Sequence, residues 1–301
     1  MNFPTRPPNP VAVTFPGQVF DVELLEAALT VHRDTEEVEA LRNLLGTDAW
    51  ETLDVTDAEI AGPCTLTAGL VQARKSVHRD QVVVVAGHSF GEITALAYAG
   101  ALTLPNALEI VAERGRLSRN AARTLPGRMV AVMGMDETEV DWFRRLAIAD
   151  SGGVCEVAAV NDTRQIVLSG NTTAIEKFAE LVSRTDAIIN DLPIPGAYHS
   201  PLMGEASRSF QQFVERYMFS NIEVDLVSYI DAKAHRTALN FPTLIAQGLV
   251  MPVRWNRVVD AINLLGVTEA LDPGPGQVLR RLARRGQKLN YWDTNEVAVA
   301  S

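Results

Sequence analysis

Cysteine is scarce in this chain of 301 residues: Cys64 and Cys155 are the only two, far apart and without histidine or cysteine neighbours at metal-ligand spacing. That argues against a metal site, and both thiols are expected to be reduced and buried. Long apolar runs are also missing, since every one falls short of the roughly 18 residues that a membrane span needs. The first ten residues are polar and proline-rich rather than signal-like, so a cytoplasmic location is expected, with no membrane partner. Positive charge is outweighed, 27 Lys and Arg against 37 Asp and Glu, for a net charge of −10. A nucleic-acid partner is therefore not expected, because docking on phosphates requires a basic face. Internal repeats and low-complexity tracts are absent. What is present is apolar content of 47% against 21% charged residues, enough for one substantial core with a smaller subdomain attached.

Along the chain, Val11-Ala12-Val13-Thr14-Phe15 reads as a strand stopped by Pro16-Gly17-Gln18. Apolar residues at three- and four-residue spacing predict helices over 23–31, 35–45 and 66–75, followed by the strand Val82-Val83-Val84-Val85 and a further helix over 107–123. Strands joined by long helical connections predict a parallel sheet covered on both faces. Between Pro126-Gly127 and Pro193-Ile194-Pro195-Gly196 the pattern changes. Strands are expected at 129–133, 155–160, 165–168 and 187–192. Capped helix starts are expected at Asp136 with Glu139 and at Thr173 with Glu176. That β-α-β-β-α-β order is the ferredoxin-like split unit. The expected fold is thus α/β: a parallel-sheet, α/β-hydrolase-like large subdomain, residues 1–127 and 199–301, carrying an inserted ferredoxin-like small subdomain, 128–198. Helices over 205–217 and 255–265 and strands over 224–230 and 268–271 complete the large unit.

The informative segment is Gly87-His88-Ser89-Phe90-Gly91-Glu92, set between the valine strand and the helix-forming run Ile93-Thr94-Ala95-Leu96-Ala97-Tyr98-Ala99-Gly100. A buried strand that turns sharply into a helix holds the central serine in a strained conformation, and flanking glycines remove the Cβ atoms that would clash. Ser89 Oγ then stands above a helix N-terminus, whose free N–H groups suit the oxyanion formed when a carbonyl is attacked. The pentapeptide alone is common by chance; the strand before it and the helix after it make the case for acyl chemistry on a serine.

A serine hydroxyl needs a base. Of five histidines, His32 and His78 sit in charged helical surroundings, His235 in a polar loop and His88 within the elbow. His199 stands where the small subdomain returns to the large one, and the residues alone leave base and structural histidine equally open. Arg114, among Arg116, Arg119 and Arg123, reads equally as a helix-surface arginine.

The elbow, Arg114-Gly115, Gly196-Ala197-Tyr198-His199, Pro252-Val253-Arg254-Trp255 and Gly274-Pro275-Gly276, in that order across about residues 11–285, resemble the malonyl-CoA:acyl carrier protein transacylases and the acyltransferase domains of polyketide synthases. The resemblance implies Ser89 as nucleophile and His199 as base. It implies backbone N–H groups of Gln18 and Phe90 as the oxyanion hole, and Arg114 as the partner of the substrate's free carboxylate. It implies a backbone carbonyl near Gln247 as the orienter of the histidine, with no carboxylate third member, and Asn161 as a pocket asparagine, a position that also suits a turn. His88 is carried as a further site residue. Two departures stand out. The family's Phe-Pro-Gly-Gln-Gly-Ser-Gln loop reads Phe15-Pro16-Gly17-Gln18-Val19-Phe20-Asp21, and the glutamine usual before a helical proline is Gly62, ahead of Pro63.

By this resemblance the reaction is ping-pong: malonyl passes from coenzyme A to Ser89 and then to the phosphopantetheine thiol of an acyl carrier protein, in fatty acid or polyketide synthesis. No tightly bound cofactor is expected, malonyl-CoA being the substrate, and a monomer is the default. Phe90 and the Gly-Ala-Tyr-His run resemble malonyl-selective more than methylmalonyl-selective members. Arg280, Arg281, Arg284, Arg285 and Lys288 form either a basic patch for the anionic carrier or a solvated helix end. The rivals are a serine thioesterase or esterase, for which Asp186 or Asp191 would supply the acid, and a non-catalytic scaffold that binds carrier protein.

Overall fold

The computed structural model describes residues 9–46, 54–55, 57–283 and 288–293. The two β-branched runs form the centre of the molecule. β1 (Val11–Phe15) is wholly buried, and β2 (Val82–Gly87) nearly so. They pair in parallel, with Phe15 opposite Gly87, so the loops leaving their carboxyl ends start side by side, where sites form in open α/β sheets. Outward from this pair run β9 (Glu269–Leu271) and β10 (Asn290–Tyr291) on one side, and β7 (Asp225–Val227) and β8 (Ala234–His235) on the other. The sheet order is β10-β9-β1-β2-β7-β8. Only the edge strand β8 is antiparallel. The strand expected over 224–230 stops at Val227, because Ser228 and Tyr229 turn to bond the carboxylate of Glu92.

Helices cover this sheet: α1 (Val22–Val31), α2 (Glu36–Leu45), α3 (Ala58–Ser76), α4 (Gly91–Ala99) and α5 (Leu104–Thr124) before the chain leaves it. α3 begins eight residues earlier than its periodicity suggests. Asp57 caps it by accepting from Glu59 N, and Pro63 lies inside it. A proline forfeits one intrahelical bond, but 14 of the 19 residues of α3 are buried, and that packing outweighs the loss.

β3 (Gly127–Met133), α6 (Glu137–Ser151), β4 (Cys155–Asp162), β5 (Gln165–Asn171), α7 (Thr172–Val182) and β6 (Ile188–Asp191) then build a second, antiparallel sheet in the order β4-β5-β3-β6. Asp136 and Glu139 form the expected capping box at α6. The N-cap of α7 is Asn171 rather than Thr173, and its side chain instead accepts from Val154 N. Strand alternation divides this sheet. Val130, Val132, Ile166 and Leu168 pack under α6 and α7 in a core of their own, whereas Met129, Ala131 and Val167 face the large core. The chain returns through α8 (Gly204–Val214), α9 (Phe241–Gln247), α10 (Trp255–Leu264) and α11 (Val278–Ala283). Both cysteines are free and buried, one in each core, and burial pushes both thiols up to about 12. No helix among the described residues is long and apolar enough to cross a membrane.

Candidate active site

The elbow forms because its glycines have no substitute. A Cβ on Gly87 would lie 2.0 Å from Glu92 N, and one on Gly91 would lie 2.2 Å from Phe15 O. The strand, the turn and α4 can therefore approach only with hydrogen at both positions. Ser89 between them has φ +54°, the left-handed region that a side-chain-bearing residue enters only when its surroundings impose it. Its Oγ lies 2.6 Å from His199 Nε2.

His199 is itself held at φ +59° and is 5% exposed. Its backbone N–H donates to Leu249 O at 2.9 Å, and its Nδ1 lies 2.8 Å from Met251 O. A carbonyl only accepts, so Nδ1 carries the ring proton and Nε2 is the lone pair that accepts from the Ser89 hydroxyl. Desolvation, with a smaller contribution from the charge of Arg114, lowers the imidazole pKa to about 3. The ring therefore rests neutral, in the form a base requires. The carbonyl at Nδ1 belongs to Met251 and not to Gln247. Gln247 ends α9, and its own carbonyl accepts from Val250 N and Met251 N to close that helix. Among the described residues, no carboxylate stands at Nδ1. Asp191, one of the two acids considered for a hydrolase triad, is instead an ion-pair partner of Arg128.

Arg114 lies on α5 at the bottom of the same cleft, 3% exposed. Its guanidinium carbon sits 5.8 Å from the Phe90 ring centroid and 5.7 Å from that of Tyr198. Among the described residues it has no hydrogen-bond or ion-pair partner. Burial lowers its pKa, yet a guanidinium keeps its charge. A buried, unpaired cation is costly unless an anion arrives. The N–H groups of Gln18 and Phe90 likewise reach no acceptor among the described residues. A cavity of about 430 Å³ is lined by Ser89, His199, Arg114, Gln18, Phe90 and Asn161.

His88 is partly buried, and desolvation lowers its imidazole pKa below the ordinary value. Its Nε2 lies 2.8 Å from Asn161 Oδ1 on β4, which ties the elbow to the second sheet. Of the basic cluster, Arg281 lines the cavity, Arg280 pairs with Asp293 at 2.9 Å, and Arg284 and Arg285 lie outside the described residues. Among the described residues, no group of histidine, cysteine and acidic side chains is arranged to hold a metal. The sequence reading missed Met251, which acts through a backbone carbonyl and so leaves no trace in residue type. It also missed Thr65, whose hydroxyl accepts from Val19 N beside Gln18 at 3.1 Å.

The chain is 35% identical over 246 residues to the malonyl CoA-acyl carrier protein transacylase of Mycobacterium tuberculosis, covering 80% of this chain and 78% of that protein. It is 28% identical to the transacylase of Haemophilus influenzae, over 91% of each chain. Its fold superposes on the crystal structure of an acyl-carrier-protein S-malonyltransferase from Burkholderia pseudomallei with a TM-score of 0.84, at 29% identity over 93% of this chain and 94% of that one. It also superposes on a malonyl-transacylase in complex with its type II polyketide synthase acyl carrier protein, with a TM-score of 0.87, at 25% identity over 97% and 99%. With the acyl transferase domain model matching residues 65–269 as well, the chain belongs to the acyl transferase domain family.

Proposed function

We propose that this chain is a malonyl-CoA:acyl carrier protein transacylase that works by a ping-pong route through a Ser89 ester. Ser89 Oγ attacks the thioester carbonyl of malonyl-CoA while His199 Nε2 takes its proton. The tetrahedral oxyanion rests on the N–H groups of Gln18 and Phe90. As the carbon–sulfur bond breaks, His199 returns the proton to the departing coenzyme A sulfur. The phosphopantetheine thiol of the carrier protein then gives its proton to His199 and attacks the malonyl ester, and the proton goes back to Ser89 Oγ. The Met251 carbonyl holds the imidazole in the required tautomer throughout.

The observation that carries this reading is the pairing of a neutral Ser–His dyad with a buried guanidinium that has no partner among the described residues, in one cavity. Arg114 takes the distal carboxylate of the malonyl group, and Ser89 meets its thioester end. A charged hydrogen bond of this kind contributes about 1.5–3 kcal/mol, so it favours malonyl over acetyl by roughly ten- to hundredfold. The apolar wall of Met129, Ala131 and Val167 suits the pantetheine arm, and Arg281 stands on the same cavity. The same reading divides the chain into a large subdomain, 1–127 and 199–301, and a small one, 128–198. Support for that division comes from the separate core under the second sheet. A cytoplasmic monomer fits a reaction between two dissolved partners.

The test is incubation with malonyl-CoA followed by mass spectrometry. A malonyl adduct on Ser89 that is discharged by holo carrier protein is expected. An Arg114→Ala variant is expected to lose malonyl transfer while retaining or gaining acetyl transfer. Steady hydrolysis to free malonate marks a hydrolase, and no adduct marks a binding scaffold. Normal malonyl transfer by Arg114→Ala removes the carboxylate role.

A further inference from the structure

The loop after β1 carries Val19 and Phe20 where resembling enzymes have Gly-Ser, so the bulk that follows Gln18 has to be accommodated by something nearby. The face of α3 turned toward it repeats at helical spacing: Ala58, Gly62, Thr65 and Gly69, each four or three residues after the last. Each meets the site machinery. Gln18 Nε2 donates to Ala58 O at 3.0 Å, and Val19 N donates to Thr65 Oγ1 at 3.1 Å. A Cβ on Gly62 would touch the Phe90 ring at 3.4 Å, and one on Gly69 would touch Phe15 at 3.5 Å.

Thr65 is buried and has a single proton to give. Its Oγ1 lies 2.7 Å from Ala61 O within its own helix and 3.5 Å from Val19 O. The shorter contact takes the proton, which leaves the lone pairs of Oγ1 for Val19 N–H. The peptide after Gln18 is thereby anchored to the helix, and so is the Gln18 side chain. With both fixed, the peptide before Gln18, which carries its N–H, has one direction available.

We propose that Thr65 is a positioning residue for the oxyanion hole, acting through Val19 to aim the Gln18 N–H. The inference rests on the role given above to that N–H. Thr65→Val keeps the shape and removes the hydroxyl. Removing an oxyanion donor outright costs about 10²–10³-fold in rate, and misaiming one is expected to lower kcat for Ser89 acylation about 10- to 100-fold. KM for malonyl-CoA is expected to stay within about twofold and the acid limb of the pH–rate profile to stay unmoved, because Arg114 and His199 are untouched. Thr65→Ser restores the hydroxyl and is expected to restore the rate.

Single-turnover acylation of Ser89 by malonyl-CoA, followed by intact-protein mass spectrometry, measures this in wild type and variants. Should Thr65→Val fail to fold, Gln18→Leu cuts the second tether while keeping the backbone N–H, and the same loss of kcat is expected. A folded Thr65→Val or Gln18→Leu protein that acylates at the wild-type rate overturns the inference while leaving the transacylase reading intact. So does a loss that appears only in KM, or one that Thr65→Ser fails to repair. A wild-type protein that never acylates at Ser89 overturns the reading itself and this inference with it.

Discussion

His199 shows how burial sets the working state of a single residue. An exposed histidine is half protonated near pH 6.5, which would cost a base much of its activity in mildly acidic solution. Here desolvation lowers the pKa to about 3, because a charged imidazole would stand in a dry cleft beside Arg114. The acid limb of kcat/KM for malonyl transfer is accordingly expected well below the ordinary imidazole range, with no inflection near pH 6.5 assignable to His199. A rate profile over pH 4–8 checks this, and half-loss at pH 6.5 would mean that the ring is far wetter than its surroundings indicate. The same shift has a stability consequence of definite sign. Between the lowered folded value and 6.5 the unfolded chain binds the proton and the folded one does not, so this contribution to stability is lost as pH falls through that window.

At the scale of elements, the site depends on how closely α3 and α5 approach. Gly115, next to Arg114, has no room for a side chain: its Cβ would lie 2.4 Å from Ala58 O, the same carbonyl that accepts from Gln18 Nε2. Gly115→Ala is therefore expected to push the helices apart. The expected cost is about 1–3 kcal/mol of stability, as for other overpacked core positions, together with a raised KM for malonyl-CoA as Arg114 is displaced. Thermal unfolding and steady-state kinetics on one preparation test both, and an unchanged Tm would show that the seam is looser than the contact implies. The glycine was visible in the sequence beside Arg114, but its reason was not. Periodicity gives the face of a helix, whereas the distance of closest approach belongs to two elements at once. The start of α3 was misplaced for a related cause, since a proline argues against helix locally and only the surrounding core overrules it.

At the scale of the whole molecule, the cavity is formed where the two sheets meet. Besides the contact of His88 with Asn161, β4 is tied to the segment before α10 by a short parallel bridge. Val253 N donates to Ala158 O at 2.9 Å, and Val160 N donates to Val253 O at 2.8 Å. Arg254 adds an ion pair to Glu137 on α6. Val253→Pro deletes the first bond and leaves the Ala158 carbonyl buried and unpaired, at an expected cost of about 1–3 kcal/mol. The bridge also adjoins Met251, so the His199 tether is expected to loosen and kcat to fall. Calorimetry and acylation rates measure the two effects, and a variant with wild-type values for both would show that the bridge is incidental.

The elbow, the α/β class and the split β-α-β-β-α-β order were readable in the sequence because each is written locally, in strand and helix periodicities and in glycines that a sharp turn demands. Ser89 was legible from its own neighbours, and His199 and Arg114 became so once the motifs were taken together. Tertiary structure alone decided which carbonyl faces the imidazole, that Arg114 is buried beside Phe90 and Tyr198, and that a threonine on α3 holds the loop beside Gln18. These are relations among segments far apart in the chain, 46 residues for Thr65 with Val19 and 52 for His199 with Met251, created only when burial brings them together. Backbone groups, which carry no residue-specific signature, make several of the contacts that matter most.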